Sequence, residues 1–202
     1  MDSPTPTHPL DQALALRADS QDANRSHGHT SPHYWNMVGP YGGITAAVAL
    51  PAVMQHPARL GEPIALTVNY AGAMAQGGFE AEAVAVRTNR STQHWTVTLS
   101  HPEAGGGRQV STTATVVTAL RRETWSAHEA TMPAAPAPAS LVRGRRPVRG
   151  VAWLDRYDIR PIVGEVPTQW DGQGSDSSLS QLWMRDHPPR PLDFPGLAGL
   201  SD

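Results

Sequence analysis

Between residues 44 and 120 the apolar pattern changes period once and does not change back. Residues 44–54 (ITAAVALPAVM) place Ala46, Ala47, Leu50, Val53 and Met54 at i, i+3/i+4 and i+7, the spacing of one helix face. From residue 63 the period falls to two. PIALTVNYAG (63–72) alternates Ile64, Leu66, Val68 and Tyr70 with other residues. FEAEAVAVRT (79–88) sets Phe79, Ala81, Ala83 and Ala85 against Glu80, Glu82, Val84 and Val86. TQHWTVTLSH (92–101) puts Trp95, Val97 and Leu99 on one face, and QVSTTATVVTAL (109–120) is rich in β-branched residues. The turns are AQGG, TNRS and EAGGGR. One helix followed by four consecutive strands of this length leaves few architectures. The strands pair antiparallel, curl, and bury their apolar face on the rod that precedes them. Alanines at 46, 47, 49 and 52 keep that rod thin enough for close packing. Pro51 is the blemish, since it lacks a backbone donor. The predicted class is α+β.

The stretch YWNMVGPYGGITAAVAL (34–50) sets a glycine turn directly before that helix. Two readings fit. The free N–H groups of the helix's first turn can hold a polarised oxygen, or the glycines admit close backbone packing. The helix start carries Tyr41 and Thr45, with no Asp or Glu from residue 34 to 61, so donors are present there without an evident base.

Net charge is −2 and no cysteine is present, which excludes disulfides and thiol catalysis and asks for no nucleic-acid partner. RGRRPVRG (143–150) reads as phosphate contact or as solvated linker. The N-terminus has no signal-peptide pattern, and no apolar run approaches the ~20 residues of a membrane helix. The expectation is a cytoplasmic protein without a membrane partner. His27, His29 and His33 lack carboxylate or thiolate neighbours and helical spacing, so no metal is expected. Neither a nucleophile elbow nor a Walker-type phosphate loop is present, and no cofactor is expected. Residues 19–29 read as a loop or hairpin tip.

MPAAPAPAS (132–140) reads as an extended linker. A second unit then opens, with strands in 150–164 and 179–186 and a helix start from residue 194. It has no following sheet to close a core. The expected division is 8–122 for a first domain, 123–149 for a Pro/Ala/Arg linker, and 150–202 for the start of an incomplete second domain.

This order of elements is that of a hotdog domain. TSPHYWNMVGPYGGITAAVAL, LTVNYAGAMAQGGFEAEAVAVRTNRSTQHWTVTL and RPLDFPGLAGLSD resemble the TesB-like acyl-CoA thioesterase family (thioesterase II), which carries two tandem hotdogs. The resemblance runs from about residue 8 onward and implies a chain truncated within its second hotdog. It implies hydrolysis of an acyl-CoA to free acid and CoA by a water that an Asp, a Thr or Ser, and a Gln position, all from the second hotdog. The matching Asp is Asp202; the Thr and Gln have no matching positions here. A non-catalytic acyl-CoA- or lipid-binding hotdog, or an interaction module, is the alternative.

The expected substrate-binding residues are Tyr41, Gly42 and Gly43 as oxyanion-side groups, and Arg87 and Arg90 for the phosphates of coenzyme A. Each has a plainer reading: helix packing for the glycines and a solvent-facing turn for the arginines. Trp35, Tyr41 and Trp95 read as core or interface packing. Long sheet edges predict a homo-oligomer, a dimer or tetramer.

Overall fold

The structure, a computed structural model, describes residues 7–103, 105–144, 150–164, 172, 174 and 177–201. A short helix α1 (Pro9–Ala13) leads into β1 (Arg17–Ala18) and β2 (Arg25–His29). Helix α2 (Gly42–Met54) follows, then β3 (Glu62–Tyr70), β4 (Gly78–Thr88), β5 (Thr92–Pro102) and β6 (Arg108–Ala119). The last part holds a 3-10 turn (Ala152–Arg156), β7 (Tyr157–Val163), β8 (Gln181–Asp186) and helix α3 (Phe194–Leu200).

Strands β1 to β6 form one antiparallel sheet in the order β1-β2-β4-β5-β6-β3. Register irregularities at Ala85/Arg87, Leu99/Ser100 and Pro63/Ala65 add local twist and help it curl. Its inner face is the one the alternation predicts: Phe79, Ala81, Ala83, Trp95, Val97, Leu99, Ala114 and Val116 are all at most 5% exposed. They close over α2. This is the hotdog architecture.

Helix α2 differs from its predicted single apolar face. Every residue from Gly43 to Val53 is buried, Pro51 included. The sheet covers one side, and α3 and the 3-10 turn lie against the start of the other. Two further elements were not legible. The hairpin tip expected over 19–29 is confined to 19–24: residues 25–29 (RSHGH) form β2, which pairs with β1 and, from Arg25↔Glu82 to His29↔Gly78, with β4. Only Gly28 of that strand is buried, so no apolar alternation marks it. A Cβ at Gly28 would overlap the Phe79 ring. In 150–164 the strand begins only at Tyr157, because the 3-10 turn takes up Trp153.

The α2–α3 contact is glycine on glycine. A Cβ on Gly43 would overlap the Gly199 carbonyl and the Tyr41 ring. Tyr157 Oη donates to Gly199 O at 3.4 Å. Tyr157, 1% exposed, meets Tyr34, Tyr41 and Trp153 edge-on, and Tyr41 stacks on Trp153 with centroids 4.1 Å apart. Burial drives the Tyr34 and Tyr157 hydroxyls well above the usual tyrosine range. The backbone joins in, as Ala152 N and Trp153 N both donate to Trp35 O, at 3.0 and 3.3 Å.

Two ion clusters fasten the periphery. Arg190 donates to both oxygens of Asp193 and to Asp11 Oδ1, which ties α1 to the start of α3; Asp193 in turn caps α3 through Gly196 N at 2.8 Å. Asp158, buried on β7, accepts from Arg160 and from Arg185 on β8 at 3.0–3.3 Å. Hydrogen bonds from Arg160, then from Arg185, hold the Asp158 carboxyl below its ordinary value of 3.8.

Two outcomes follow. Gly43→Ala should lower the unfolding free energy by about 1–3 kcal/mol through overpacking, seen as a lower urea midpoint with the slope unchanged; an unaltered midpoint contradicts the glycine-on-glycine contact. Asp158 has a lowered folded-state pKa, so its contribution is present above 3.8 and is lost as pH falls through the folded value. Thermal melts of Asp158→Asn should therefore show a weaker loss of stability with acid than the parent protein over that window.

Candidate functional site

Two openings meet at the start of α2. A groove of about 580 Å³ runs between α2, β3 and α3, floored by Ala46, Leu50, Leu66 and Val68 and walled by Phe194 and Leu197. Arg121 and Ser201 are among its polar lining. A smaller cleft of about 270 Å³ lies beyond it, lined by Asn36, Gly39, Gly42, Thr45, Met74 and Thr112 among others. Tyr70 borders both, and its hydroxyl donates to Gly42 O at 2.9 Å.

The local sequence explains this junction. Tyr41 precedes α2 in an extended conformation and supplies no side-chain cap, so its own side chain is not spent on the first-turn donors. Its ring is instead drawn under Trp153. Small residues in α2 leave room beside β3, whose edge position turns Ile64 and Tyr70 outward at 51% and 50% exposure. α3 runs along the same groove and ends at Ser201.

The expected site residues separate. Tyr41, Gly42 and Gly43 are brought together, but with different roles open to them. Gly42 is half-buried and lines the smaller cleft. Gly43 is buried under α3, so its packing role holds, with α3 rather than the sheet as the close partner. Arg87 and Arg90 lie at the opposite end of the sheet; both are exposed, and Arg87 Nε donates to Asn89 Oδ1 at 2.9 Å. Asp202 lies outside the described residues, one position past Ser201. Sequence reasoning missed Tyr70 and the α3 wall; the glycines of PYGG and of PGLAG were the available signal that two helices approach closely.

A wider groove of about 1100 Å³ flanks the far edge of the sheet, lined by His27, His29, His101, Glu80 and Arg108 among others. Several of its polar side chains are already engaged with neighbours. His27 bonds Asp19 at 2.9 Å, Glu80 pairs with Arg108, and His101 Nε2 bonds Gln109 at 3.1 Å. The Asp19 carboxyl is pulled down to about 2, chiefly by its hydrogen bond with His27. No group of three or more metal-ligating side chains occurs among the described residues. His94 points to solvent from β5. Among the described residues no helix is long and apolar enough to cross a membrane.

A helix enclosed by a curled antiparallel sheet defines a protein of the hotdog class. Residues 31–121 match the model of the acyl-CoA thioesterase N-terminal domain. A hot dog fold protein of unknown function from Alicyclobacillus acidocaldarius is 46% identical, with a TM-score of 0.84 over 96% of this chain and 68% of that one. The chain belongs to the acyl-CoA thioesterase family. Acyl-CoA thioesterase II TesB2 from Mycobacterium marinum shares the fold at 19% identity and TM-score 0.67, covering 95% of this chain and 67% of its own. The tesB protein of Mycobacterium avium subs paratuberculosis does so at 20% identity and TM-score 0.63, covering 95% and 65%. The chain thus spans 65–68% of the length of these three structures. No curated protein matches it.

The Tyr70–Gly42 bond yields its own test. Tyr70→Phe removes an exposed donor and should cost at most about 1 kcal/mol of stability. It should nonetheless increase amide hydrogen exchange in the first turn of α2. Unchanged exchange there means the bond does not hold the helix start.

Proposed function

We propose that this protein hydrolyses an acyl-CoA thioester to free acid and CoA at the junction of groove and cleft. The carrying observation is the convergence of three elements on one point: the uncapped start of α2, the apolar groove along β3, and the end of α3 at Ser201, with Asp202 next in the chain. An apolar groove suits a hydrocarbon arm or acyl chain. The N–H groups at a helix start suit the oxygen that becomes negative during acyl transfer.

In this mechanism the Asp202 carboxylate accepts a proton from water as the water oxygen attacks the thioester carbonyl carbon. Charge develops on the carbonyl oxygen and is met by the Gly42 N–H. Collapse of the tetrahedral intermediate breaks the C–S bond. The thiolate leaves and recovers the proton from Asp202, so that acid and CoA are the products. Water supplies the only co-reactant. The residues that share water positioning with Asp202 belong, on this reading, to the second hotdog. Residues 8–122 form the first hotdog, 123–149 the linker and 150–202 the opening of the second. The outer edge of β3 bears no further strand among the described residues, which supports self-association as a dimer or tetramer. A cytoplasmic location is part of the same reading.

The test is thiol release from acyl-CoAs across chain lengths. Asp202→Asn should lower turnover by roughly 100-fold or more. Turnover equal to the parent protein removes Asp202 from the mechanism, and tight binding without any hydrolysis makes this a binding protein. Leu197, 52% exposed, lines the groove. Leu197→Trp should raise KM several-fold while leaving the melting temperature unchanged; an unaltered KM places the substrate elsewhere.

A further inference from the structure

We infer that the end of the sheet opposite the start of α2 seats the phosphates of the coenzyme A nucleotide, with the pantetheine arm lying along β3. This deepens the thioesterase reading and rests on it for the identity of the ligand. It adds a direction of binding and a group of residues.

Five arginines are gathered there by backbone pairing. Glu62 opens β3 opposite Ala119, Thr92 opens β5 opposite the same residue, and Leu120 N donates to Ser91 O at 3.0 Å. The turn bearing Arg87 and Arg90 therefore sits beside the end of β6, where Arg121 and Arg122 follow. Gln93, only 2% exposed, fastens a third segment to the same place. Its amide nitrogen donates to Ala58 O at 3.1 Å and to Thr88 Oγ1 at 2.8 Å, and its oxygen accepts from Leu60 N at 2.7 Å. That fixes the loop carrying Arg59.

Among the described residues none of these five arginines is ion-paired. Arg25, Arg108, Arg160, Arg185 and Arg190 each meet a carboxylate. Arg59 and Arg87 each place one N–H on a nearby oxygen, of Gly61 and Asn89 respectively, which orients the guanidinium and leaves its other donors outward. The carboxylates carried by the same segments are Glu62 and Glu123. Like charges gathered without matching partners repel one another, and a polyanion relieves that repulsion while taking bidentate hydrogen bonds.

Geometry ties this rim to the groove. Arg121 lines the groove itself, beside Pro63. From Pro63 to Tyr70, β3 extends ~23 Å at about 3.3 Å per residue. A pantetheine arm stretched from phosphate to sulfur is shorter than this by several ångströms, about the reach of an arginine side chain. With phosphates on the Arg121 guanidinium, which lines the groove, its sulfur lies toward Tyr70 and Gly42, where the helix donors begin. The acyl group then enters the smaller cleft of about 270 Å³, which favours short acyl chains.

Calorimetric titration of the full chain with coenzyme A, pantetheine and ATP tests this, beside Arg90→Gln/Arg121→Gln. Coenzyme A should bind most tightly, lose affinity as salt rises, and bind the double variant about tenfold or more weakly, while pantetheine is unaffected by the change. Coenzyme A binding undiminished in a variant of unchanged melting temperature overturns the assignment. So does ATP binding as tightly as coenzyme A, which marks a general phosphate patch. Coenzyme A binding that obeys these expectations without any hydrolysis supports the rim and ends the thioesterase reading. Hydrolysis of an N-acetylcysteamine thioester with the same kcat/KM as the CoA thioester does the reverse.

Discussion

The contact on which this structure depends is the approach of α2 to α3 through Gly43 and Gly199. Neither helix has a side chain at the crossing, so backbone meets backbone, and the Gly199 carbonyl stands where a Cβ on Gly43 would be. That closeness has a cost in chain entropy, since glycine is the most mobile residue in the unfolded state. Aromatic packing offsets it: Tyr157 reaches Gly199 with its hydroxyl and touches three other rings with its face and edges. The crossing brings the end of α3 to the groove that α2 and β3 form. A bulkier residue at either glycine would move the wall of the groove as well as the core.

The sheet supplies the second constraint. It curls over α2 with large and small side chains side by side on its inner face: Trp95 and Leu99 on β5 lie opposite Ala85 and Ala81 of β4, and Val97 lies opposite Ala114 of β6. The thin helix and the tight curl need each other. β3, at the sheet edge, is then left with its apolar residues part-exposed toward α3 rather than toward solvent alone. An edge strand that cannot be fully covered by its own sheet is turned into the floor of a groove. Burial and site formation are in this sense one event.

Much of the fold was legible in sequence because it is written in periodicity. The change from helical to alternating spacing marked α2 and β3 to β6, and the turn residues between them bounded the strands closely. β2 was not legible: it is a short polar strand between β1 and β4 whose one buried residue is a glycine, so it carries no alternation to detect. The full burial of α2 was also hidden. A stripe reports one covering surface, and α3, far along the chain, supplies another. At the site, Gly42 and Gly43 were visible as a pair, but their division into a cleft-lining and a packing residue depends on α3. Tyr70 was read only as a strand residue, since nothing local shows that its hydroxyl reaches Gly42. The arginines at the sheet end were seen as two in one turn; their number grows only when register joins β3, β5 and β6.

A 2-oxoalkyl thioether of coenzyme A, which keeps a carbonyl but has no thioester bond to hydrolyse, tests the account most directly when its position is determined in a crystal of the complex. The expected result places its carbonyl oxygen within hydrogen-bond distance of the Gly42 N–H, with the rest of the molecule in the groove along β3. An analogue seated instead in the wider groove beside His27 and His29 would contradict it.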